Sequence, residues 1–394
     1  MMLEGAPAKG FDTPGVYNSR VGYGFDLNTR QDHISPFFVS VNVPEGNYRV
    51  KVVLGNDKTE SVTTVKAENR RLMLENVRVS KGKSSEHTFL VNIRDYRLDS
   101  GDTVKINPRE YRKLIWDDKL TLEFNGINPS VRSISIEPAG DVPTVFLAGN
   151  STVVDEAREP WCGWGQMITR FFTPEVAVAN YAESGQAADT FVSSRRLEKL
   201  LSKIRKGDYL FIEFGHNDQK QRGEGKGPFT SYKNNLKYLA DRAREKGAFP
   251  VLISPMHRRF FDENGKVVNT HGEYPAAVRQ LAQEENIPLI DLTAMSAVLY
   301  QAWGVEGSKK AFVHFPEGTF PGQEKALADN THFNPYGGYQ IARCIVKGIV
   351  DGDIPLKKYM IKGLEKYDPA KPDDFAGFRV PPSPFVSMEK PLGN

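Results

Sequence analysis

The chain has 394 residues, of which 39% are hydrophobic and 11% aromatic, which is enough to form the cores of two domains. Its 52 lysines and arginines nearly balance its 49 aspartates and glutamates, and the net charge is +3. Because no tract is rich in lysine or arginine, the composition argues against nucleic acid as a partner. No stretch approaches the roughly 18 apolar residues of a membrane span, so membrane insertion is not expected.

The beginning of the chain and its cysteines say little about its compartment. The first residues, MMLEGAPAKG, lack the apolar core of a signal peptide, so the protein is either cytosolic or a mature form with a replaced start. Two cysteines, Cys162 and Cys344, are too few for a disulfide framework, and we expect both to be buried. The sequence does not indicate an oligomeric state.

The first part of the chain, residues 33–139, is predicted to form an all-β sandwich. Short runs rich in Val, Ile, Thr and Phe follow one another without a convincing helix between them, and PEGN at 44–47 has the composition of a turn. The predicted strands are FFVSVNV, YRVKVVLG, SVTTVKA, HTFLVNIR, KLTLEF and SISIEP.

A different rhythm begins after AGDVP (139–143), which we interpret as a linker. Continuous apolar runs alternate with helical patterns, which indicates parallel strands covered on both faces. In the first helical pattern Trp164, Met167, Ile168 and Phe171 recur at helical spacing after Pro160, and Gly247 closes a later one. The runs are TVFLAG, VAVANYA, DYLFIEFG, FPVLISP and PLIDL.

Small and polar residues follow these predicted strands. In a doubly wound sheet the ligand site lies at the carboxyl ends of the strands. Ser151 follows the first run in Gly149-Asn150-Ser151, Gly185 follows the second, and the third is followed by GHND, residues 215–218. Near the end of the chain, DNTHFNPYGG offers Asp329 and His332 just before the final predicted helix.

One serine, one histidine and one carboxylate at the same sheet edge could form an acyl-transfer site. A serine hydroxyl needs a base near neutral pH, and His332 could be that base. Asp329 could hold the other ring nitrogen and so fix the tautomer. The backbone N–H groups of Ser151 and Gly185 and the Asn217 amide are suited to stabilise a tetrahedral oxyanion.

The ordered blocks Gly149-Asn150-Ser151, Gly185, 215–218 and Asp329-x-x-His332 resemble those of the SGNH (GDSL) hydrolases. The stretches GNSTVVDEAREPWCGWGQMI and DNTHFNPYGGYQIA, preceded by a β-sandwich, resemble bacterial rhamnogalacturonan acetylesterases. This resemblance implies an α/β fold, namely a three-layer flavodoxin-like domain with a parallel sheet, and a galactose-binding-like sandwich in front. It also implies Ser151 as nucleophile, Asp329 and His332 as its triad partners, and Ser151, Gly185 and Asn217 as the oxyanion hole. Asn150 stands where the family usually has Asp.

Other residues near the predicted site have two interpretations. His216 could hold its neighbours or contact substrate, and Arg258 with Arg259 could bind the carboxylate of an acidic sugar. The charged segment with Asp155, Glu156, Arg158 and Glu159 is expected to be a solvated loop, with a role at the substrate rim left open. The proline-rich stretch DPAKPDDFAGFRVPPSPF is expected to wrap the surface.

We therefore expect a sandwich over residues 1–140, a catalytic domain over 141–355 and a C-terminal extension over 356–394. The expected function is a serine esterase without metal or cofactor that removes acetyl groups from a pectic polysaccharide such as rhamnogalacturonan. The polar strand-end loops do not suit a lipid substrate. Acetylated xylan, or carbohydrate binding without catalysis, is the alternative. A metal-dependent phosphoesterase would need Asp and His on the first strand, which here ends in Gly149-Asn150-Ser151 instead. A secreted or periplasmic location is expected, with the cytoplasm left open.

Overall fold

The computed structural model describes residues 15–31 and 36–393. The first fourteen residues, to which the expectation about a signal peptide refers, lie outside this range. Within the described residues the chain forms a β-sandwich, then a parallel α/β domain, and then an extended C-terminal tail. None of the described helices is both long and apolar enough to cross a membrane.

The β-sandwich consists of two antiparallel sheets, one with the strand order β1-β2-β7-β4-β5 and one with the order β6-β3-β8. Alternate residues of both sheets form its core, in which Phe37 and Phe124 stack with ring centroids 5.0 Å apart. The sequence indicated six of these strands and missed β1 and β5, because β5 carries charged and amide side chains that mask its apolar alternation. The strands are β1 (Tyr23–Asp26), β2 (Phe37–Asn42), β3 (Gly46–Leu54), β4 (Ser61–Ala67), β5 (Arg71–Val79), β6 (Ser85–Ile93), β7 (Lys119–Ile127) and β8 (Val131–Pro138).

The second domain is built on a five-stranded parallel sheet with the order β10-β9-β11-β12-β13. This is the flavodoxin-like order, and the fold class is as expected from the sequence. The strands are continuous apolar runs because helices cover both faces of the sheet. The strands are β9 (Thr144–Gly149), β10 (Ala177–Asn180), β11 (Tyr209–Glu213), β12 (Phe249–Ile253) and β13 (Leu289–Ile290).

Seven α-helices of the described residues surround this sheet. Trp164, Met167, Ile168 and Phe171 are buried in the core as their spacing indicated, although the helix starts at Gly165, five residues after Pro160. Gly247 follows the fourth helix with a φ of 74°, the left-handed conformation that glycine adopts at helix ends. The helices are α1 (Gly165–Ile168), α2 (Ala188–Ser193), α3 (Arg196–Lys203), α4 (Lys233–Glu245), α5 (Tyr274–Glu284), α6 (Leu292–Gly307) and α7 (Pro335–Asp351).

A separate antiparallel pair, β14 (Phe312–Phe315) and β15 (Leu327–Phe333), lies between α6 and α7. Asp329 and His332, which the sequence places just before the final predicted helix, both lie on β15. Directly after this strand, the Asn334 side chain accepts a hydrogen bond from Gly337 N and caps α7. The strand and the capped helix together fix the position of Asp329 and His332.

Candidate active site

Ser151, His332 and Asp329 form a continuous chain of hydrogen bonds at the carboxyl end of β9. Ser151 Oγ lies 3.0 Å from His332 Nε2, and His332 Nδ1 lies 2.9 Å from Asp329 Oδ2. All three residues are buried. When Nδ1 carries the proton and its N–H donates a hydrogen bond to Asp329, Nε2 is left as the acceptor for the serine hydroxyl. This is the arrangement in which a histidine can act as a general base toward serine.

The Asp329 carboxylate is held in its ionised form. Burial raises its pKa, but the hydrogen bond and charge of His332, with the backbone N–H groups of His332 and Thr331, lower the pKa well below the usual range. Those N–H groups donate to Asp329 Oδ1 over 2.9 and 2.7 Å. A carboxylate ordered in this way can orient the imidazole without taking its proton.

The turn that presents Ser151 is held by Asn150, the residue at which the sequence departs from the usual family pattern. Its Oδ1 accepts from Thr152 N over 3.0 Å and from Thr152 Oγ1 over 2.8 Å. An amide oxygen therefore fills the acceptor role that a carboxylate oxygen could fill. The Asn150 Nδ2 finds no hydrogen-bond partner among the described residues.

Glu213, the last residue of β11, contacts this turn and was not identified from the sequence. Its Oε1 lies 3.0 Å from Thr152 Oγ1, and its Oε2 accepts from Trp164 Nε1 over 2.5 Å. Burial raises its pKa to about 7, although both contacts lower it. The available signal was a carboxylate at the end of an otherwise apolar strand, in DYLFIEFG.

The raised pKa of Glu213 predicts a pH-dependent stability. Between about pH 4.5 and 7 the folded protein keeps a proton that the unfolded chain releases, so the free energy of unfolding falls as pH rises through this window. In Glu213→Gln this contribution is absent. We expect the difference in unfolding free energy between variant and wild type to change in the variant's favour by roughly 3 kcal/mol from pH 4.5 to 7.5. Urea unfolding at several pH values measures it, with the exposed Glu263→Gln as matched control; parallel curves for wild type and Glu213→Gln would contradict it.

Gly185 and Asn217 lie beside each other on the loops after β10 and β11. Gly185 has a φ of 85°. Asn217 Nδ2 donates to the carbonyl of Gln186, the residue after Gly185, over 2.9 Å. Asp218 clamps the two loops together, because its carboxylate accepts from Ala188 N and Gly215 N, both over 2.9 Å. Burial raises the pKa of Asp218 to about 6. The two predicted oxyanion-hole residues are thus held at one place.

His216 and Arg258 lie behind this loop and are both buried. Arg258 Nη2 donates to the carbonyl oxygen of His216 over 3.1 Å, and Arg258 Nη1 lies 3.4 Å from His271 Nε2. The His216 and His271 rings contact each other edge to face. Burial, together with nearby positive charge, lowers the pKa of His216. These contacts favour a role in holding the loop over direct contact of either residue with substrate.

The charged segment after Ser151 is not the solvated loop that the sequence indicated. Arg158 is exposed, but Asp155, Glu156 and Glu159 are each at most 3% exposed. Each pairs with an arginine of the first domain more than forty positions earlier in the chain, and the Nη2 of one of these, Arg109, contacts Glu156 Oε2 over 2.9 Å. The sequence misled here because the partners are distant.

The C-terminal tail crosses the mouth of the site. Lys390 Nζ lies 3.2 Å from Asp329 Oδ2. A Cβ placed on Gly393 would lie 2.6 Å from Asn217 Oδ1 and 3.0 Å from Gly185 Cα, and the Gly393 carbonyl accepts from Lys220 Nζ. The tail therefore occupies the space in front of the two predicted oxyanion-hole residues.

No group of three or more His, Cys, Asp or Glu side chains in the part of the chain that the structure describes could hold a metal ion. The carboxylates near the site accept hydrogen bonds from protein groups: Asp329 from His332, and Asp218 from backbone N–H groups.

A buried Ser-His-Asp chain at the carboxyl edge of a flavodoxin-like sheet defines the class of serine acylhydrolases. Comparison with known proteins agrees with this class. The GDSL-like Lipase/Acylhydrolase family matches residues 147–340. The chain belongs to this family.

Three relatives of this chain come from Bacillus subtilis (strain 168). The chain is 44% identical to "Rhamnogalacturonan acetylesterase RhgT" over 219 residues, 55% of this chain and 94% of the relative. It is 35% identical to "Probable rhamnogalacturonan acetylesterase YesY" over 223 residues, 55% and 97% of the two chains. The crystal structure of the protein YxiM covers 86% of this chain and 93% of its own, at 23% identity and a TM-score of 0.48.

Proposed function

We propose that this protein is a serine esterase that removes acetyl groups from a plant cell-wall polysaccharide, with acetylated rhamnogalacturonan as the first candidate. The hydrogen-bonded chain of Ser151, His332 and Asp329 is the observation that carries the ester-hydrolase assignment. The polymer comes from the names of the two relatives with 44% and 35% identity. A cell-wall polymer lies outside the cell that degrades it, so this function implies a secreted or periplasmic enzyme.

The geometry supports a two-step mechanism. Ser151 Oγ attacks the acetyl carbonyl carbon while His332 Nε2 takes the hydroxyl proton, and the carbonyl electrons move onto the oxygen. The resulting oxyanion is stabilised by the N–H groups of Ser151 and Gly185 and by the Asn217 amide. The bond from the acetyl carbon to the sugar oxygen then breaks, and the sugar leaves as a hydroxyl with the proton from His332. In the second step water attacks the acetyl-serine while His332 takes its proton, and Ser151 leaves with that proton as acetate is released. Asp329 stabilises the imidazolium in both steps.

The substrate is tested by acetate release from acetylated rhamnogalacturonan, acetylated xylan and a long-chain aryl ester at matched concentration. We expect the highest kcat/KM on rhamnogalacturonan, the polymer in the names of the two relatives with 44% and 35% identity. We expect the lowest on the long-chain ester, because the loops beside the site are polar, as in HNDQKQRGEGKG at 216–227. Preference for xylan would keep the chemistry and change the polymer. Preference for the long-chain ester would contradict a carbohydrate substrate, and binding of the polymer without acetate release would contradict catalysis.

Asn217 is expected to act mainly in the transition state, because its amide meets charge that develops only on the oxyanion. Asn217→Ala should lower kcat by about 10²–10³, with little change in KM. Steady-state kinetics on an acetyl ester measure both constants. Arg222→Ala, an exposed change on the same loop, serves as the control. A higher KM at unchanged kcat would place Asn217 in substrate recognition instead.

The tail in front of Gly185 and Asn217 should compete with the acetyl group for the same space. A chain that ends at Lys390 retains the contact of Lys390 with Asp329 but lacks Leu392 and Gly393. We expect this variant to have a severalfold lower KM for the polysaccharide, since substrate no longer displaces the tail. Unchanged kinetic constants would show that the tail does not hinder binding.

A further inference from the structure

The turn between β4 and β5 of the sandwich, residues 68–70, and the first residue of β5 are polar but almost fully buried. Glu68, Asn69, Arg70 and Arg71 are exposed by only 6%, 1%, 4% and 1%. Glu68 and Arg70 also have positive φ angles of 56° and 61°, which are unfavourable for residues with a side chain. Buried charges are costly unless they are paired and hydrogen-bonded. The contacts of this turn should therefore indicate what it does.

Arg70 binds the segment that follows the nucleophile. Its Nη1 donates to the carbonyl oxygens of Trp161 over 2.9 Å and Glu156 over 3.2 Å, and its Nη2 lies 2.5 Å from Glu159 Oε2. Asn69 adds a further contact, because its Nδ2 donates to the carbonyl of Asp155 over 3.1 Å. One turn of the sandwich thus fixes the backbone of this segment at three points.

The same segment contacts the predicted catalytic base. The Trp161 ring packs edge to face against the His332 ring, with the centroids 5.7 Å apart and an interplanar angle of 88°. The next residue, Cys162, donates its N–H to the carbonyl of Phe333 over 3.0 Å. Arg70 is therefore two contacts away from the His332 imidazole, through the carbonyl and the ring of Trp161.

A second connection leads from the sandwich to the predicted oxyanion hole. Glu156 Oε2 accepts from Arg109 Nη2 of the sandwich over 2.9 Å, and Glu156 Oε1 accepts from Ser184 Oγ over 2.7 Å. Ser184 directly precedes Gly185. The position of the Gly185 loop is thus also coupled to the sandwich.

We propose that the β4–β5 turn is a positioning element of the esterase site, with Arg70 as its main residue, and that the sandwich is needed for turnover of any acetyl ester. Arg70 fixes Trp161, Trp161 fixes the plane of the His332 ring, and the base is thereby kept in line with Ser151. This inference rests on the proposed ester hydrolysis. It differs from a sugar-binding role of the sandwich, which would affect only polymeric substrates.

The test compares kcat and KM on p-nitrophenyl acetate, which is too small to reach a sugar-binding surface on the sandwich. Arg70→Met removes the donors and leaves the Glu159 carboxylate buried without its cation, so Arg70→Met/Glu159→Gln is made in parallel to keep the fold. Arg70→Lys restores the charge but not the three-point geometry. The control is Arg49→Met, because Arg49 also joins the sandwich to a carbonyl of the second domain, Pro174 O at 2.7 Å, at the opposite end of β10.

We expect the folded double variant to show a kcat at least roughly 10-fold lower at nearly unchanged KM, since small misplacements of a catalytic group are costly. Arg70→Lys should recover part of the loss, and Arg49→Met should match wild type. A folded double variant with wild-type kcat would overturn the proposal, as would a loss confined to the polysaccharide. Hydrolysis by the wild-type chain is measured in the same assay, so a failure of the proposed function itself is seen separately.

Discussion

Replacing Ser151 by alanine is expected to lower kcat for acetyl esters by about 10⁴–10⁶, as loss of the nucleophile does in other hydrogen-bonded triads. Ser151 Oγ is the atom that contacts His332 Nε2, at 3.0 Å. The substitution removes one buried hydroxyl and leaves the Asn150–Thr152 hydrogen bonds that shape the turn. The fold should therefore persist, and the loss should appear in kcat.

Steady-state acetate release measures this effect, and circular dichroism with thermal unfolding checks the fold. Ser193→Ala, an exposed serine on α2, is the matched control and should behave as wild type. A folded Ser151→Ala enzyme with turnover near the wild-type value would remove Ser151 from the mechanism.

The second large effect is expected for Asp329→Asn, with a loss of up to about 10⁴ in kcat. In the wild type, Asp329 Oδ2 accepts from His332 Nδ1, while Oδ1 is occupied by two backbone N–H groups. An asparagine oxygen would take the backbone contacts, and its NH₂ group would face His332 Nδ1. The imidazole would then carry its proton on Nε2, where it cannot accept the proton of Ser151.

The exposed Asp353→Asn serves as control, because it changes the same charge away from the site. Measurement of kcat over a range of pH distinguishes this tautomer effect from a loss of fold, which thermal unfolding reports separately. An Asp329→Asn enzyme with wild-type kcat at neutral pH would show that Ser151 and His332 work as a pair without the acid.

Much of the site was predictable because it lies where strands end. The apolar runs ending at Gly149 and Gly215 identify β9 and β11, and a parallel sheet necessarily brings its strand ends to one edge. Residues far apart in the chain, such as Ser151 and His332, could thus be placed together. The hydrogen bonds at 3.0 and 2.9 Å agree with that placement.

The burial of Asp155, Glu156 and Glu159 could not be predicted in the same way. A run of charged residues after a strand is usually solvated. Here the carboxylates are buried because arginines of the sandwich pair with them. Arg70 and Arg71 lie at the β4–β5 turn and Arg109 lies between β6 and β7, and no local pattern links them to this segment. The path of the tail could not be predicted either, because a proline-rich stretch indicates an extended chain but not the surface on which it packs.

Acetate release from the polysaccharide is expected to run through Ser151. Titration with a small serine-reactive organophosphate, while acetate release from acetylated rhamnogalacturonan is followed, tests it most directly. We predict that activity falls in proportion to the label and is lost at one equivalent, that the label is found on the peptide containing Ser151, and that Ser151→Ala takes up none. Acetate release that continues after Ser151 is fully labelled would contradict the account.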